Sequence, residues 1–209
     1  KERYRSMYVG VFFKRYILGL WCVAEGLVYS MFDEEKHVTD EHMSGALEYV
    51  VSIDYGTVNP FSAGLWAFDG KNSQREAELY YNSREAGKRV DDEAYYKMLK
   101  ELIGDRKISC IIIDPSAASF IEVIKKYGEY TVRKADNDVL DGIRVVTTML
   151  NKGLLKIYKD CASCINEFGL YCWDEEKNND TVIKENDHAM DDTRYYVYTF
   201  LRRRLRWKY

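Results

Sequence analysis

The stretch Val50-Val51-Ser52-Ile53-Asp54-Tyr55-Gly56 decides the fold. Its β-branched residues read as a strand, and the strand runs directly into an aspartate. A carboxylate there is costly to bury unless it is paired or holds a cation. Gly56 permits a bend, after which Ala63 to Phe68 and Glu78 to Tyr81 read as two further strands. The connections, through Asn59-Pro60 and Asp69-Gly70, are short, so the three form an antiparallel meander.

Downstream, helices and strands alternate. Asp91-Asp92 caps a helix with apolar positions Tyr95, Met98, Leu99 and Leu102, stopped by Gly104. Ile108 to Ile113 is a continuous apolar run between helices, the pattern of a strand buried on both faces. Asp114 follows it, and Ser116 opens a helix with the stripe Phe120, Ile121 and Ile124. Tyr130 to Arg133 reads as a short strand. Asn137-Asp138 then caps a helix carrying Val139, Ile143, Val146 and Leu150 on one face. Leu154 to Tyr158 reads as a strand, Cys161, Cys164, Ile165 and Phe168 as a helix face, and Asp174 to Asp180 as a loop. A helix from about Asp187 to Arg202 closes the chain. This order predicts an α/β fold whose mixed sheet joins an antiparallel meander to parallel strands, with helices on its flanks.

The segment ahead of the meander is less patterned. Arg15 to Cys22 reads as a strand or extended packed segment, and Glu25 to Tyr29 as a turn into a short strand. Asp33 to His37 reads as a solvated charge run, with His37 and His42 at the surface.

The totals bound the function. A chain of 209 residues makes one substantial domain or a domain with a small appendage. Its net charge of -3 does not mark a nucleic-acid binder, so charge that meets DNA has to be local. The basic run from Arg202 to Lys208 offers one such place, with a solvated helix end, where positive charge is favoured anyway, as the equal alternative. Five cysteines, an odd number, suggest reduced thiols and a cytosolic setting. No apolar run approaches the roughly 20 residues of a membrane span. No signal peptide and no G-x-x-x-x-G-K-[ST] phosphate loop are present, and the opening on Lys1 reads as a fragment of something longer.

Three aspartates stand where chemistry is expected. Asp54 ends the first strand, although a turn bonded to the backbone near Gly56 also explains it. Asp114 lies at the carboxyl end of a buried strand, where open α/β sheets place their ligands; an Asp-Pro turn is the alternative. In Asp187-His188-Ala189-Met190-Asp191-Asp192-Thr193-Arg194-Tyr195, a helix stacks His188, Asp191 and Tyr195 on one face, with Asp187 as its cap. The alternative there is a helix start that favours acids anyway. Carboxylates without a Cys or His cluster suit Mg²⁺ or Mn²⁺. Two such ions about 4 Å apart can drive in-line displacement at phosphorus. Cys161-Ala162-Ser163-Cys164 lacks the second pair of a zinc site, and its cysteines read as small core residues.

Together these pieces resemble the nuclease domain of the large terminase subunit of tailed bacteriophages. The matching segments include Arg15-Tyr16-Ile17-Leu18-Gly19, Ala24-Glu25-Gly26-Leu27-Val28-Tyr29, Ser52-Ile53-Asp54-Tyr55-Gly56, Ile113-Asp114-Pro115-Ser116, Asn137 to Ile143 and Asp187 to Tyr195. The resemblance implies a ribonuclease H-like fold and a metal-dependent endonuclease that cuts concatemeric double-stranded DNA during genome packaging. It implies Asp54, Asp114 and Asp191 as ligands of Mg²⁺ or Mn²⁺, two ions in all, with His188 beside them. Asp191 rather than Asp192 is chosen because it keeps the His-x-x-Asp spacing. Residues 1–47 are then a connection from an ATPase domain in cis, packed on a nuclease domain at 48–209. The implied partners are double-stranded DNA, the small terminase subunit and the portal protein, in the host bacterial cytoplasm, with no membrane. The rivals are another ribonuclease H-like nuclease of resolvase or integrase type, and a non-catalytic module that docks on DNA or portal.

Overall fold

The computed structural model describes residues 26–56, 59–177 and 180–205. Its strands are β1 (Val38–Thr39), β2 (Glu48–Asp54), β3 (Phe61–Phe68), β4 (Ser73–Tyr81), β5 (Ile108–Ile113), β6 (Val132–Lys134) and β7 (Leu155–Tyr158). They form one sheet in the order β1-β7-β4-β3-β2-β5-β6. The pairs β2–β3 and β3–β4 are antiparallel; β2–β5, β5–β6, β4–β7 and β1–β7 are parallel. The expected mixed sheet is present. Val38–Thr39, inside the stretch read as a connection, already contributes its edge strand.

The helices are α1 (Glu34–His37), α2 (Asp92–Ile103), α3 (Ala118–Tyr127), α4 (Val139–Asn151), α5 (Ala162–Phe168), α6 (His188–Tyr196) and α7 (Arg202–Arg204). Between α6 and α7 the chain widens into a π-helical turn, Val197–Leu201, where the sequence predicts an unbroken helix. Strand alternation divides the core in two. Val51, Ile53, Ile111 and Ile113 pack against α2 and α3, while Val50, Cys110 and Ile112 face the side covered by α4, α5 and α6. Asp91 and Asp138 cap α2 and α4 as expected, accepting from Ala94 and Asp141 N–H at 2.8 Å each. Ser116 does not cap α3; Ala117 precedes that helix without a side-chain bond.

Several local expectations change. Strand β4 begins at Ser73 rather than Glu78 because its polar first half is buried against polar partners. Ser73 pairs with the Tyr196 hydroxyl, Gln74 donates to Glu41 O, and Glu76 pairs with His42 at 2.6 Å. His37 is not at the surface: it is buried, with Nε2 3.0 Å from Leu150 O. Cys161 and Cys164 are free and buried, and burial pushes the Cys161 thiol up to about 12. The segment Arg15 to Cys22 lies outside the described residues. Among the described residues, no helix is long and apolar enough to cross a membrane.

Candidate active site

Register places the first two acids together. Ile53 of β2 pairs with Ile113 of β5, its parallel neighbour, so Asp54 and Asp114 sit side by side at the carboxyl ends of adjacent strands. By strand alternation Asp54 shares its face with Ser52, and Asp114 with Ile112, the face on which α6 lies. Helix α6 runs across β2, β3 and β5 with its first turn at these strand ends. That turn brings His188 to Asp54, Nδ1 to Oδ2, at 2.9 Å.

Each carboxylate has its own surroundings. Burial pushes the Asp54 carboxyl up to about 6; the bond from His188 opposes this, and repulsion from Asp191 and Asp192 adds to it. Burial alone would lower His188, but its bond to the Asp54 carboxylate outweighs that and holds the imidazole above its ordinary value. Asp114 is the reverse. Burial would raise it, but donors from Ser116, Tyr195 and Asn137 outweigh that and keep it below the usual carboxylate range. The Ser116 N–H lies 2.7 Å from Oδ1 and the Tyr195 hydroxyl 3.0 Å from Oδ2. Asp191 accepts from Arg194 at 2.9 Å on one oxygen and from Lys184 at 3.2 Å on the other.

Arg194 was not singled out in the sequence, yet it ties the site together. It is buried, and its Nη1 donates to Asn137 O at 2.8 Å while Nη2 holds Asp191. Gly142 makes room for it, since a Cβ there would overlap Arg194 Cγ and Cδ.

Asp192 is a different kind of acid. It is fully buried and bidentate to Arg75, Oδ1 to Nη1 at 2.5 Å and Oδ2 to Nη2 at 3.0 Å. Ser62 and Ser52 hydroxyls add bonds at 2.5 and 3.2 Å. Burial would lower Arg75, but Asp192 outweighs it and keeps the guanidinium charged. Gly64 on β3 leaves the space the guanidinium fills. With both oxygens committed to one arginine, Asp192 is structural.

The donors suit a hard divalent cation in kind, being carboxylate oxygens with one imidazole. The Tyr195 hydroxyl, which donates to Asp114, is raised by burial and by Asp191, Asp54 and Asp114, with Arg194 opposing. Among the described residues, no three His, Cys, Asp or Glu side chains converge closely enough to enclose an ion as they stand. Each acid is instead held by its own protein donor.

The sheet order, the antiparallel meander and acids at parallel strand ends define the class: a ribonuclease H-like domain. The sequence pattern described as "Terminase RNaseH-like domain" matches residues 51–199, and the chain belongs to that family. The large terminase of a thermophilic bacteriophage, solved with ADP, is 43% identical with a TM-score of 0.92, over 96% of this chain and 51% of that one. The large terminase subunit of Escherichia phage T5 is 24% identical over 196 residues, 86% of this chain and 43% of that protein. The chain thus spans about half the length of these relatives. The nuclease of the large terminase from a second thermophilic phage, G20c, was solved with bound magnesium. It shares the fold at 12% identity and a TM-score of 0.61, over 84% of this chain and 97% of that one.

Proposed function

We propose that this domain is a divalent-metal-dependent endonuclease that cuts concatemeric double-stranded DNA during phage genome packaging. The observation that carries it is the adjacency of Asp54 and Asp114 at neighbouring strand ends, with His188 and Asp191 laid over them by one helical turn. Asp54, Asp114 and Asp191 would hold Mg²⁺ or Mn²⁺, two ions in all, with His188 at the edge of the set. When bound, the metal supplies an activated water and charge stabilisation at the departing oxygen. His188 orients the Asp54 carboxylate through its 2.9 Å bond. Tyr195 and Ser116 do the same for Asp114. Arg194 fixes one Asp191 oxygen, leaving the other to the exposed Lys184 ammonium, which is free to move.

Support for magnesium comes from the related G20c nuclease, which holds that ion. We extend the reading to the longer protein: an ATPase domain in cis, with residues 1–47 as the connection and 48–209 as the nuclease, acting with the small terminase subunit and the portal in the host cytoplasm. The test is cleavage of supercoiled plasmid with Mn²⁺, with Asp54→Asn as control. The expected result is nicking and linearisation by the wild type alone. Intact plasmid with folded wild-type protein would refute the reading, and preference for a four-way junction would move it to the resolvase type. The separate protein partner on each carboxylate favours a second reading, a non-catalytic docking module; absence of Mn²⁺ binding would support it.

A further inference from the structure

We propose that Glu167 is a positioning residue for this site, clamping the first turn of α6 so that His188 and Asp191 meet the strand ends in a single geometry. The proposal rests on the nuclease reading above.

A helix leaves its first N–H groups without intrahelical partners, and the residue before it commonly supplies the acceptor. Asp187 stands in that place and makes no capping bond. Its carboxylate faces Lys184 at 3.1 Å instead. The acceptor comes from another helix. Glu167 Oε2 accepts from Ala189 N at 2.7 Å and Met190 N at 3.2 Å. Its Oε1 accepts from the Tyr80 hydroxyl at 2.7 Å. The side chain is 3% exposed, so both oxygens are committed to the protein.

These bonds fall on the residues between His188 and Asp191. The first turn of α6 is thereby tied to α5 and, through Tyr80, to the end of β4, in addition to the Lys184 contacts from the loop that leads into it. A carboxylate at a helix start is also favoured by the helix dipole. Glu167 stands in the wall of a groove of about 620 Å³ that His188 also lines, yet with no free oxygen it acts on α6. Removing it leaves two buried N–H groups unpaired, and the turn is free to shift. A displacement of about 1 Å in a catalytic group can cost a hundredfold in rate.

The test compares Glu167→Ala, Glu167→Gln and Tyr80→Phe in the full chain, each assayed well below its own melting temperature. With Glu167→Ala, kcat for plasmid nicking is expected to fall about 30- to 100-fold at unchanged KM for DNA. Mn²⁺ affinity measured by calorimetry is expected to weaken about tenfold, as for other outer partners of metal ligands. Amide exchange at Ala189 and Met190 should quicken, glutamine should restore most of each property, and Tyr80→Phe should lie between. A lower melting temperature and faster exchange with wild-type kcat and Mn²⁺ affinity would overturn the proposal, leaving Glu167 a cap of the fold alone. So would a glutamine variant as impaired as alanine. Inactive wild type would sink the nuclease reading instead. The positioning claim would then be read from the His188 ring resonances, which Glu167→Ala must shift and Glu167→Gln must not.

Discussion

Helix α6 crosses two polar regions that differ in almost everything except residue type. At the rim, Asp191 pairs with Lys184, whose side chain is 59% exposed, and Asp54 pairs with His188. One residue further along the helix, Asp192 and Arg75 are both 0% exposed and closed in by serines. The difference is in how replaceable the counter-charge is. A rim ammonium on a flexible stem can leave and water can take its place, so an ion can enter. The floor cannot exchange its partner without stranding a charge in a dry core. Adjacent aspartates thus have different surroundings, one sharing a carboxylate oxygen with an exposed ammonium and one closed onto a buried arginine that holds the sheet to the helix.

The floor gives the largest expected effect. Removing one member of a buried ion pair leaves its partner uncompensated, at about 3–5 kcal/mol. Asp192→Ala and Arg75→Ala should each destabilise the domain by that amount in urea unfolding. The double variant should lose less than the sum, since no lone charge remains. Additive losses would show that the pair is not the unit it looks. Asp192→Asn belongs with these variants, because it leaves a buried guanidinium without its carboxylate.

At the rim the effect moves from stability to activity. Asp54→Asn and Asp191→Asn should each lower plasmid cleavage at least a hundredfold, about 2.7 kcal/mol of barrier. Metal-free unfolding of Asp54→Asn should stay within about 1 kcal/mol of wild type, since the amide keeps the shape and relieves repulsion, whereas Asp191→Asn should cost more because it takes the carboxylate from the buried Arg194. Cleavage retained in either variant would remove that residue from the site. Mn²⁺ sharpens the same contrast by linkage. At a hundred times its dissociation constant it should stabilise the wild type by about 2.7 kcal/mol. Asp191→Asn should lose most of that gain while Gly64→Ala, a change at the floor, keeps it at lower baseline stability. Equal gains in wild type and Asp191→Asn would place the ion elsewhere.

What the sequence shows and hides follows the same division. Asp54 and Asp114 were legible because apolar runs fix strand parity, and an acid at the end of such a run is conspicuous. His188 and Asp191 followed from helical spacing. Arg75 was hidden inside Ser73-Gln74-Arg75-Glu76, a polar run that reads as a turn. It is a buried strand only because its partners come from residues 41, 42, 192 and 196, far off in the chain. Glu167 was missed for the same reason. It lies one position before Phe168 on a helix read for its apolar face, and its partners are 87, 22 and 23 residues away. For Glu167 the signal was a charged residue inside otherwise core-like spacing; for Arg75 no local signal exists. Local pattern finds acids at strand ends and on a helix face; it is poor at finding buried groups that answer one another across the fold.

The smallest effect is expected at Lys184. Its ammonium bridges Asp187 at 3.1 Å and Asp191 at 3.2 Å, a charged contact of the kind the floor also has. Exposure decides its worth. Half-solvated pairs contribute about 0–1 kcal/mol, because water screens the charges and ordering a long side chain costs entropy. Lys184→Gln should therefore lower stability by less than about 1 kcal/mol, well below the loss at Arg75. The ammonium and a divalent ion compete for the same Asp191 oxygen, so removing it should leave Mn²⁺ affinity equal or tighter. Unfolding and calorimetry on one preparation read both numbers. A loss of several kcal/mol would mean that the rim is as closed as the floor. Weaker Mn²⁺ binding would mean that Lys184 supports the metal set rather than yielding to it, and the exchangeable-partner account of the rim would fail.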